Sequence, residues 1–423
     1  MNRTRRLVGA LALTSALTLT AACGSPTDGS GGSDARNVKL RMTVWTSNQD
    51  QLKLFGSIAD AYQAEHPEVS SITFESLPFE DYNTTLTTQI AGGNAPDLAW
   101  MGDLSRDLMA SDALVGLTGK LKATPGWRYD DLEASATKEF SRDGTLYAYP
   151  FSTSPYALYV NTDLLAKADQ KIDPKNLTWD RVAAAGAAVR ADTGKAGFVI
   201  RDFDYKSWNM LATVWTGFGA SAWSPDGKTC TFTSPQMQKA FTFLHDAVFK
   251  TRAMPGPGTT ADFFAGDSAF TVAQVSRSSL LTGKFKYALF PLPAGPAGEY
   301  SVIGQAGMGV LAAGKHKTQA TDFLAYLTNP TNSEKLAQFF PPPRKSMLTG
   351  EKLAAGNKFL TATQLQEAVV DQLPNAVTLP NHTNPAEIAQ KGKTSLDAMW
   401  KADADVPAVL KSVCSAIQPL LAK

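Results

Sequence analysis

The strongest constraint on the fold is an alternation of strand-like and helix-like segments near the start of the chain. Three segments have the alternating apolar pattern or the apolar run of strands, and the segments between them have helical spacing. In chain order they are a strand at 39–45, a helix at 52–62, a strand at 71–77, a helix at 81–90 and a strand at 97–101. This order predicts an α/β fold with a mostly parallel sheet flanked by helices.

Polar and aromatic side chains follow two of these predicted strands. Trp45 and Asn48 come at the end of the first strand, and Trp100 and Asp103 come at the end of the third. Ligands of open α/β sheets bind beyond the carboxyl ends of the strands. We therefore expect functional residues at these strand ends.

Length and charge limit the possible function classes. The chain has 423 residues with 43% hydrophobic content, which is enough for two lobes that each have a core. The 40 Lys and Arg residues nearly balance the 39 Asp and Glu residues, for a formal net charge of +1. This balance argues against a nucleic-acid-binding protein, which needs a basic surface, and against an acidic disordered chain.

The first residues have the pattern of a secretion signal. Three arginines precede an uncharged run at 7–22, which ends in small residues directly before Cys23. This junction resembles the lipobox of bacterial lipoproteins, so we expect a signal peptide at 1–22 and a lipid-anchored Cys23. The Gly- and Ser-rich stretch that completes 23–37 then forms a flexible linker. Secretion without an anchor, with Cys23 there by chance, is the alternative.

Two further cysteines, Cys230 and Cys414, would lie in an oxidising compartment. No His or Cys stands at ligand spacing from either one, so a disulfide is favoured over a metal site. The sequence leaves open whether the two residues meet.

Seven motifs occur in an order that resembles a known family. They are TVWTS at 43–47, AYQAEHPEV at 61–69, AGGNAPDLAW at 91–100, GTLYAYPFS at 144–152, LYVNTDLL at 158–165, FFAGDSAFTV at 263–272 and FLAYLTNPTNSEKLA at 323–337. Together they resemble the extracellular solute-binding proteins of ATP-binding-cassette (ABC) importers, and specifically the sugar-binding group that is similar to maltose-binding protein. The similarity covers nearly all of the chain after Cys23.

The resemblance implies a two-lobed periplasmic-binding-protein-like fold with the ligand in a cleft between the lobes. By similarity, the N-terminal lobe comprises 38–150 and 265–312, the C-terminal lobe comprises 151–264 and 313–423, and the segment 149–156 crosses the hinge. It also implies an extracytoplasmic monomer that is anchored to the cell membrane and passes a carbohydrate to ABC permease subunits. No catalytic residue, cofactor, metal ion or nucleic acid is expected.

A sugar site needs aromatic rings for the apolar face of the sugar and planar polar side chains for its hydroxyl groups. The candidates for substrate binding are Trp45, Asn48, Asp103, Ser154, Tyr156, Trp208, Gln274, Arg277, Gln305 and Arg344.

Several of these residues have an alternative role. For Trp45 the alternative is packing in a core, for Arg277 it is a surface position without a ligand, and for Arg344 it is an ion pair with an acidic residue. Where relatives that bind maltose carry aromatic rings, this chain has Gln274, which favours a smaller ligand or one that is held differently.

Two other function classes stay open. A secreted glycoside hydrolase needs two carboxylates at a defined separation, and scattered acidic residues leave that possible. No G-x-S-x-G, H-E-x-x-H or P-loop motif occurs in the sequence, however. A binding protein for a glycerophosphodiester is the stronger alternative, because Arg277 or Arg344 would suit a phosphate group.

Overall fold

The structure is a computed structural model that describes residues 37–200, 208–256 and 258–421. Its strands are β1 (Val38–Val44), β2 (Val69–Ser76), β3 (Leu98–Met101), β4 (Ser141–Arg142), β5 (Thr145–Leu146), β6 (Ala148–Asn161), β7 (Ala196–Ile200), β8 (Ser268–Gln274), β9 (Tyr287–Phe290), β10 (Ser301–Val310) and β11 (Ala376–Thr378). The expected signal peptide, Cys23 and all of the linker except its last residue lie outside the described residues.

The α-helices are α1 (Gln49–Glu65), α2 (Tyr82–Ala91), α3 (Ser105–Ala110), α4 (Thr118–Ala123), α5 (Ala134–Thr137), α6 (Thr162–Lys167), α7 (Trp179–Thr193), α8 (Ala212–Trp215), α9 (Pro235–Phe249), α10 (Lys317–Leu327), α11 (Pro330–Leu336), α12 (Gly350–Ala354), α13 (Ala362–Leu365), α14 (Pro385–Leu396) and α15 (Val406–Leu421). Short 3₁₀ helices that matter below are Lys138–Phe140, Trp208–Leu211 and Val275–Leu280. Within the described part of the chain, no helix has both the length and the apolar character that a membrane span requires.

Helix α1 illustrates how the local sequence determines these elements. Asn48 caps its first turn, because its Oδ1 accepts hydrogen bonds from the backbone N–H groups of Asp50 (2.9 Å) and Gln51 (3.2 Å). Phe55 and Tyr62, which lie two turns apart, are both buried against the sheet. The predicted helix is confirmed, and it is wider at both ends than the apolar pattern alone indicated.

The main sheet is mixed. Its central path runs in the order β2-β1-β3-β10-β6-β8-β7, with β9 paired to β6 and β11 paired to β10. The outer pairs are parallel: β1 with β2 and β3, β7 with β8, and β10 with β11. The pairs that involve β10 with β3 and β6, and β6 with β8 and β9, are antiparallel. The predicted α/β fold is confirmed, and its antiparallel pairs lie around the two central strands.

Two bodies share this sheet. The first lobe packs β1, β3, α1, α10 and the start of β6 around one hydrophobic core. The second lobe packs the other half of β6 with β7 and β8, and its sheet is covered on both faces by separate apolar clusters. One cluster contains α7, α9, α14 and α15, and the other contains α12 and α13.

Strand β6 crosses from one lobe to the other. Tyr149 and Phe151 lie in the first core, whereas Tyr156 and Leu158 lie in the second. Strand β10 crosses beside it in the opposite direction, with Val302 in the second core and Met308 in the first. The segment expected to cross the hinge, 149–156, therefore lies where β6 changes lobes.

The packing divides the chain differently from the expected boundaries. Phe270 and Leu292 from the stretch 265–312 pack in the second lobe, and Phe323 and Leu336 from the stretch 313–423 pack in the first. The physical reason is strand pairing: β8 pairs with β6 and β7 of the second lobe, and α10 covers the sheet of the first lobe. The chain returns to the second lobe only after Phe340.

Cys230 and Cys414 form a disulfide with an S–S distance of 2.06 Å. It ties α15 to the loop before α9 within the second lobe. Gln418 supports the same junction, because its Oε1 accepts from the backbone N–H of Cys230 (2.8 Å) and its Nε2 donates to the carbonyl of Lys228 (2.8 Å). A link of this kind stabilises a fold by roughly 2–4 kcal/mol.

Candidate functional site

A narrow cavity lies between the two lobes, next to the crossing strands. The first lobe contributes Ala337, Phe339 and Pro341 to its lining. The second lobe contributes apolar residues and two polar ones, namely Val275, Ser276, Leu353, Asn357 and Leu365. In this arrangement of the lobes the cavity has room for about one water molecule, and its walls are mostly apolar with a few polar groups.

Three sequence-predicted residues lie together at the crossing strands beside this cavity. Ser154 is fully buried, and its Oγ accepts a hydrogen bond from the backbone N–H of Ser276 (2.9 Å), which lines the cavity. Gln274 is paired with Tyr156 across β8 and β6. Ser154 therefore fixes the position of the cavity residue Ser276 and does not line the cavity itself.

Close packing of Gln274 explains a glycine in β10. A Cβ atom at Gly304 would lie 2.1 Å from Nε2 of Gln274 and 3.2 Å from Cε2 of Tyr156. Only glycine leaves room for both side chains here. The Tyr156 ring is 5% exposed, and its hydroxyl contacts Sδ of Met210 at 3.4 Å. Tyr156 is thus a core residue of the second lobe as much as a candidate contact.

Gln305 and Thr153 face each other across β10 and β6. Nε2 of Gln305 donates to the carbonyl of Ala136 (3.1 Å), which ties β10 to α5. In the described part of the chain, Oε1 of Gln305 and Oγ1 of Thr153 are buried with no hydrogen-bond partner. Two unsatisfied oxygens on opposed residues mark a point between the lobes that is ready to accept hydrogen bonds.

A chain of aromatic rings connects the end of β1 with the cavity wall. Trp45 is partly buried and makes edge contacts with Phe79 (5.8 Å between centroids) and Trp100 (5.0 Å). The fully buried Trp100 contacts Phe151, and Phe151 contacts Phe340, the neighbour of Phe339. Core packing therefore accounts for Trp100 and for part of Trp45.

Phe79 is the aromatic residue of this chain of rings that sequence reasoning missed. Its side chain is 63% exposed, which is unusual for a phenylalanine. It lies in the loop after β2, where Pro78 precedes it. A Pro-Phe pair directly after a predicted strand was the signal that the sequence offered.

Asp103 lies just after β3, at the carboxyl end of the parallel strands. It is partly exposed, and the described residues give its carboxylate no hydrogen bond and no ion pair. Burial and, to a smaller extent, the negative charge of Glu139 together raise the pKa of Asp103 to about 6. Glu139 is itself paired with Arg106, whose Nε and Nη2 both lie 3.0 Å from its oxygens. Of Asp103, Glu139 and Arg106, Asp103 is the one without a hydrogen bond or ion pair to any described residue.

Arg344 is a structural residue, which corrects the expected ligand contact. Its side chain is 0% exposed, and it donates to the carbonyls of Thr328 (2.7 Å) and Trp127 (3.0 Å) and to Oγ of Ser333 (3.2 Å). The guanidinium also lies over the Trp127 ring at 4.4 Å. Because these groups use its donors inside the first lobe, Arg344 has no role in holding a ligand.

The remaining predicted residues divide in three ways. The Oδ1 of Asn48 caps helix α1, and the ligand role of Asn48 stays a prediction. Arg277 is partly exposed and follows the cavity residue Ser276 directly in the 3₁₀ helix. The backbone of Trp208 begins another 3₁₀ helix, but its side chain, like Cys23, lies outside what the structure describes.

The family of the chain follows from its sequence. Residues 57–361 match the family described as bacterial extracellular solute-binding protein. The chain belongs to this family. That match covers most of both lobes, including the crossing strands and the cavity residues of the first lobe.

Known proteins similar to this member of the family agree with the fold. The sn-glycerol-3-phosphate-binding periplasmic protein UgpB of Escherichia coli is 28% identical over 326 residues, which are 70% of this chain and 72% of that protein. The solved structure of the ABC substrate-binding protein Lmo0181 from Listeria monocytogenes, in complex with cycloalternan, has a TM-score of 0.80 at 21% identity and covers 92% of this chain and 100% of its own. Maltose-bound MalE3 of T. maritima has a TM-score of 0.78 at 20% identity, and the match covers 90% of this chain and 99% of MalE3. These similarities establish the two-lobed fold of the chain.

Proposed function

We propose that the chain captures an extracellular sugar, a mono- or oligosaccharide, between its lobes and delivers it unaltered to the permease of an ABC importer. One observation carries this proposal: the cavity between the lobes, which has to widen to admit a solute, has the aromatic ring of Phe339 on its first-lobe wall and the polar groups of Asn357 and Ser276 on its second-lobe wall. A pyranose has an apolar face and a rim of hydroxyl groups, so it matches such a pair of walls.

The state of Asp103 supports a ligand that donates hydrogen bonds. A carboxylate that loses part of its hydration without gaining a hydrogen-bond partner is unfavourable, and the raised pKa of Asp103 reflects that cost. Sugar hydroxyl groups supply the missing donors, and two neighbouring hydroxyls fit the two oxygens of one carboxylate. Gln274, Arg277 and the unsatisfied Oε1 of Gln305 complete the proposed set, together with Trp45 and, from the sequence, Trp208.

The crossing strands support capture by closure. β6 and β10 are shared by both lobes, so a small change of backbone angles between Phe151 and Tyr156 moves one lobe against the other. Hinge closure buries the solute and changes the surface that a permease subunit contacts. The chain acts in this scheme as a monomer that binds and releases, without chemistry on the solute.

The start of the sequence supports a position at the outer face of the cell membrane. Cleavage before Cys23 and acylation of that residue would hold the protein there, and 23–37 would serve as a tether. A Cys23→Ser variant is then expected in the soluble fraction. Retention of that variant in the membrane fraction would remove the anchor from the proposal.

A phosphorylated polyol is the second candidate solute, and two observations favour it. UgpB, a protein that binds sn-glycerol-3-phosphate, is 28% identical to this chain. Arg277 directly follows the cavity residue Ser276, where a guanidinium group would suit a phosphate.

Calorimetric titration tests the proposal with a panel of glucose, maltose, a cyclic glucan and sn-glycerol-3-phosphate. We expect a sugar to bind with micromolar affinity or better, about −8 kcal/mol. Binding of sn-glycerol-3-phosphate alone would replace the sugar by the second candidate. Release of reducing sugar from a glycoside during the titration would overturn the transport role in favour of a glycoside hydrolase.

A further inference from the structure

The two lobes also contact each other at a place away from the crossing strands. The segment 381–384 lies between β11 and α14 and belongs to the second lobe. Leu379 before it packs against the second core, and Ile388 after it is buried there. Nε2 of His382 lies 3.1 Å from the carbonyl oxygen of Gly227, in the same lobe.

This segment reaches two carboxylates of the first lobe. Nδ2 of Asn381 donates to Oε1 of Glu139 (2.8 Å), and the backbone N–H of Asn384 donates to Oδ1 of Asp107 (3.1 Å). Asp107 lies in α3, and Glu139 precedes Phe140, which is part of the first core. Each contact thus joins a residue anchored in one lobe to a residue anchored in the other.

The chemistry of these contacts suits a reversible connection. Both acceptors are carboxylates, and hydrogen bonds to ionised groups are stronger than neutral ones. The Glu139 side chain is 11% exposed and is held in place by Arg106. No residue of 381–384 belongs to any of the hydrophobic cores formed by the described residues. Separation of the lobes at this place therefore breaks two hydrogen bonds and exposes little apolar surface.

We propose that 381–384 is an interlobe latch, in which Asn381 on Glu139 and Asn384 on Asp107 hold the lobes in the closed arrangement. Asn381 and Glu139 are positioning residues. They raise the affinity for the solute by increasing the population of the binding-competent arrangement, with no contact to the solute. The inference goes beyond the proposed function, because it holds whichever solute is bound.

Distance measurements on the solute-free protein test the latch. Nitroxide labels are placed through Asp60→Cys in α1 and Lys239→Cys in α9, two exposed positions on different lobes, in a Cys23→Ser background. Double electron–electron resonance then reports the distribution of interlobe distances. The test variants are Asn381→Ala and Asp107→Ala, alone and together. The matched control is Thr383→Ala, because Thr383 is exposed and, among the described residues, its Oγ1 hydrogen-bonds to the His382 ring alone.

We expect Asn381→Ala to lower the ratio of closed to open protein by about tenfold or more, as the loss of one hydrogen bond to a charged group predicts. The double variant should shift the distribution further, the control should match the wild type, and all melting temperatures should agree. An unchanged distribution in the double variant would overturn the latch. So would a solute-free wild type that is already as open as the double variant. Because no solute is added, failure of the sugar proposal leaves this test readable.

Discussion

Asp103 and Asp131 are two carboxylates of the first lobe whose pKa values are shifted in opposite directions. Burial alone raises the pKa of both groups. For Asp131 the hydrogen bonds from Ser346 (2.6 and 2.9 Å) and the charges of Arg128 and Arg344 outweigh burial and lower the pKa. Asp103 has no such donors among the described residues, and its pKa stays raised.

The difference in hydrogen bonding distinguishes a carboxylate that stabilises the fold, Asp131, from one that is a candidate for ligand binding, Asp103. Asp131 and its partners hold the segment by which the chain returns to the second lobe after Phe340, because Ser346 lies on that segment just after Arg344. Their polar groups are satisfied within the protein, so they stabilise the fold. Asp103 has no hydrogen bond from the described residues and keeps contact with solvent at the end of a strand, where the hydroxyl groups of a ligand can take the place of water.

The largest expected effect concerns Arg344, the buried arginine beside Asp131. Arg344→Met should lower the free energy of unfolding by about 3–5 kcal/mol, because it removes the buried ion-pair partner of Asp131 and leaves three buried acceptors without their donor. Urea unfolding measures the change. Arg181→Met is the matched control and should leave stability within about 0.5 kcal/mol, since Arg181 is exposed. Equal losses in both variants would contradict the comparison.

Trp208→Ala tests the ligand side. We expect the affinity for the bound sugar to fall by about 1–3 kcal/mol, as for the loss of an aromatic ring at the centre of a binding site. The melting temperature should stay nearly constant. Titration calorimetry and thermal unfolding on the same preparation measure both quantities, and a large loss of stability with unchanged affinity would return Trp208 to the core.

The smallest effect concerns the pH dependence of stability. The pKa of Asp103 is raised in the folded state, so the folded protein takes up a proton more readily than the unfolded chain does. Its charge therefore destabilises the fold above pH 6, and this penalty disappears as the pH falls towards 4. Asp103→Asn should stabilise the protein by about 1 kcal/mol at pH 7.5, an amount reduced by the partial exposure of the group, and by almost nothing at pH 4.

Asp131→Asn is the control for that experiment and should act in the opposite direction. The pKa of Asp131 is lowered, so its stabilising effect is present at neutral pH and is lost in acid. The variant should be less stable than the wild type at pH 7.5, with a smaller difference at low pH. A stabilising Asp131→Asn, or a destabilising Asp103→Asn, would contradict the assignment of the two carboxylates.

The sequence was informative where the structure depends on local patterns. Strands β1 to β3 and helices α1 and α2 follow from apolar spacing and from Pro67, and the position of Asp103 follows from the end of β3. Asn48 was predicted as a polar residue at a strand end, but not as a cap, because the apolar spacing predicts a helix that starts at 52 and the helix starts at Gln49.

Long-range packing accounts for what the sequence could not show. The lobe to which β8 belongs depends on its pairing with β6, more than 100 residues earlier, and no local pattern encodes that pairing. Arg344 resembles a surface residue after three prolines, and only the fold shows the carbonyls around it. The Glu139–Asn381 contact likewise joins residues 242 positions apart.

The most direct test of the account is a crystal structure of the protein with the solute that titrates most tightly. The account predicts a sugar between the lobes, with Phe339 and Asn357 on opposite sides of it and a hydroxyl group within hydrogen-bond distance of Asp103. A solute bound on the outer surface of one lobe, with the cavity between the lobes empty, would contradict it.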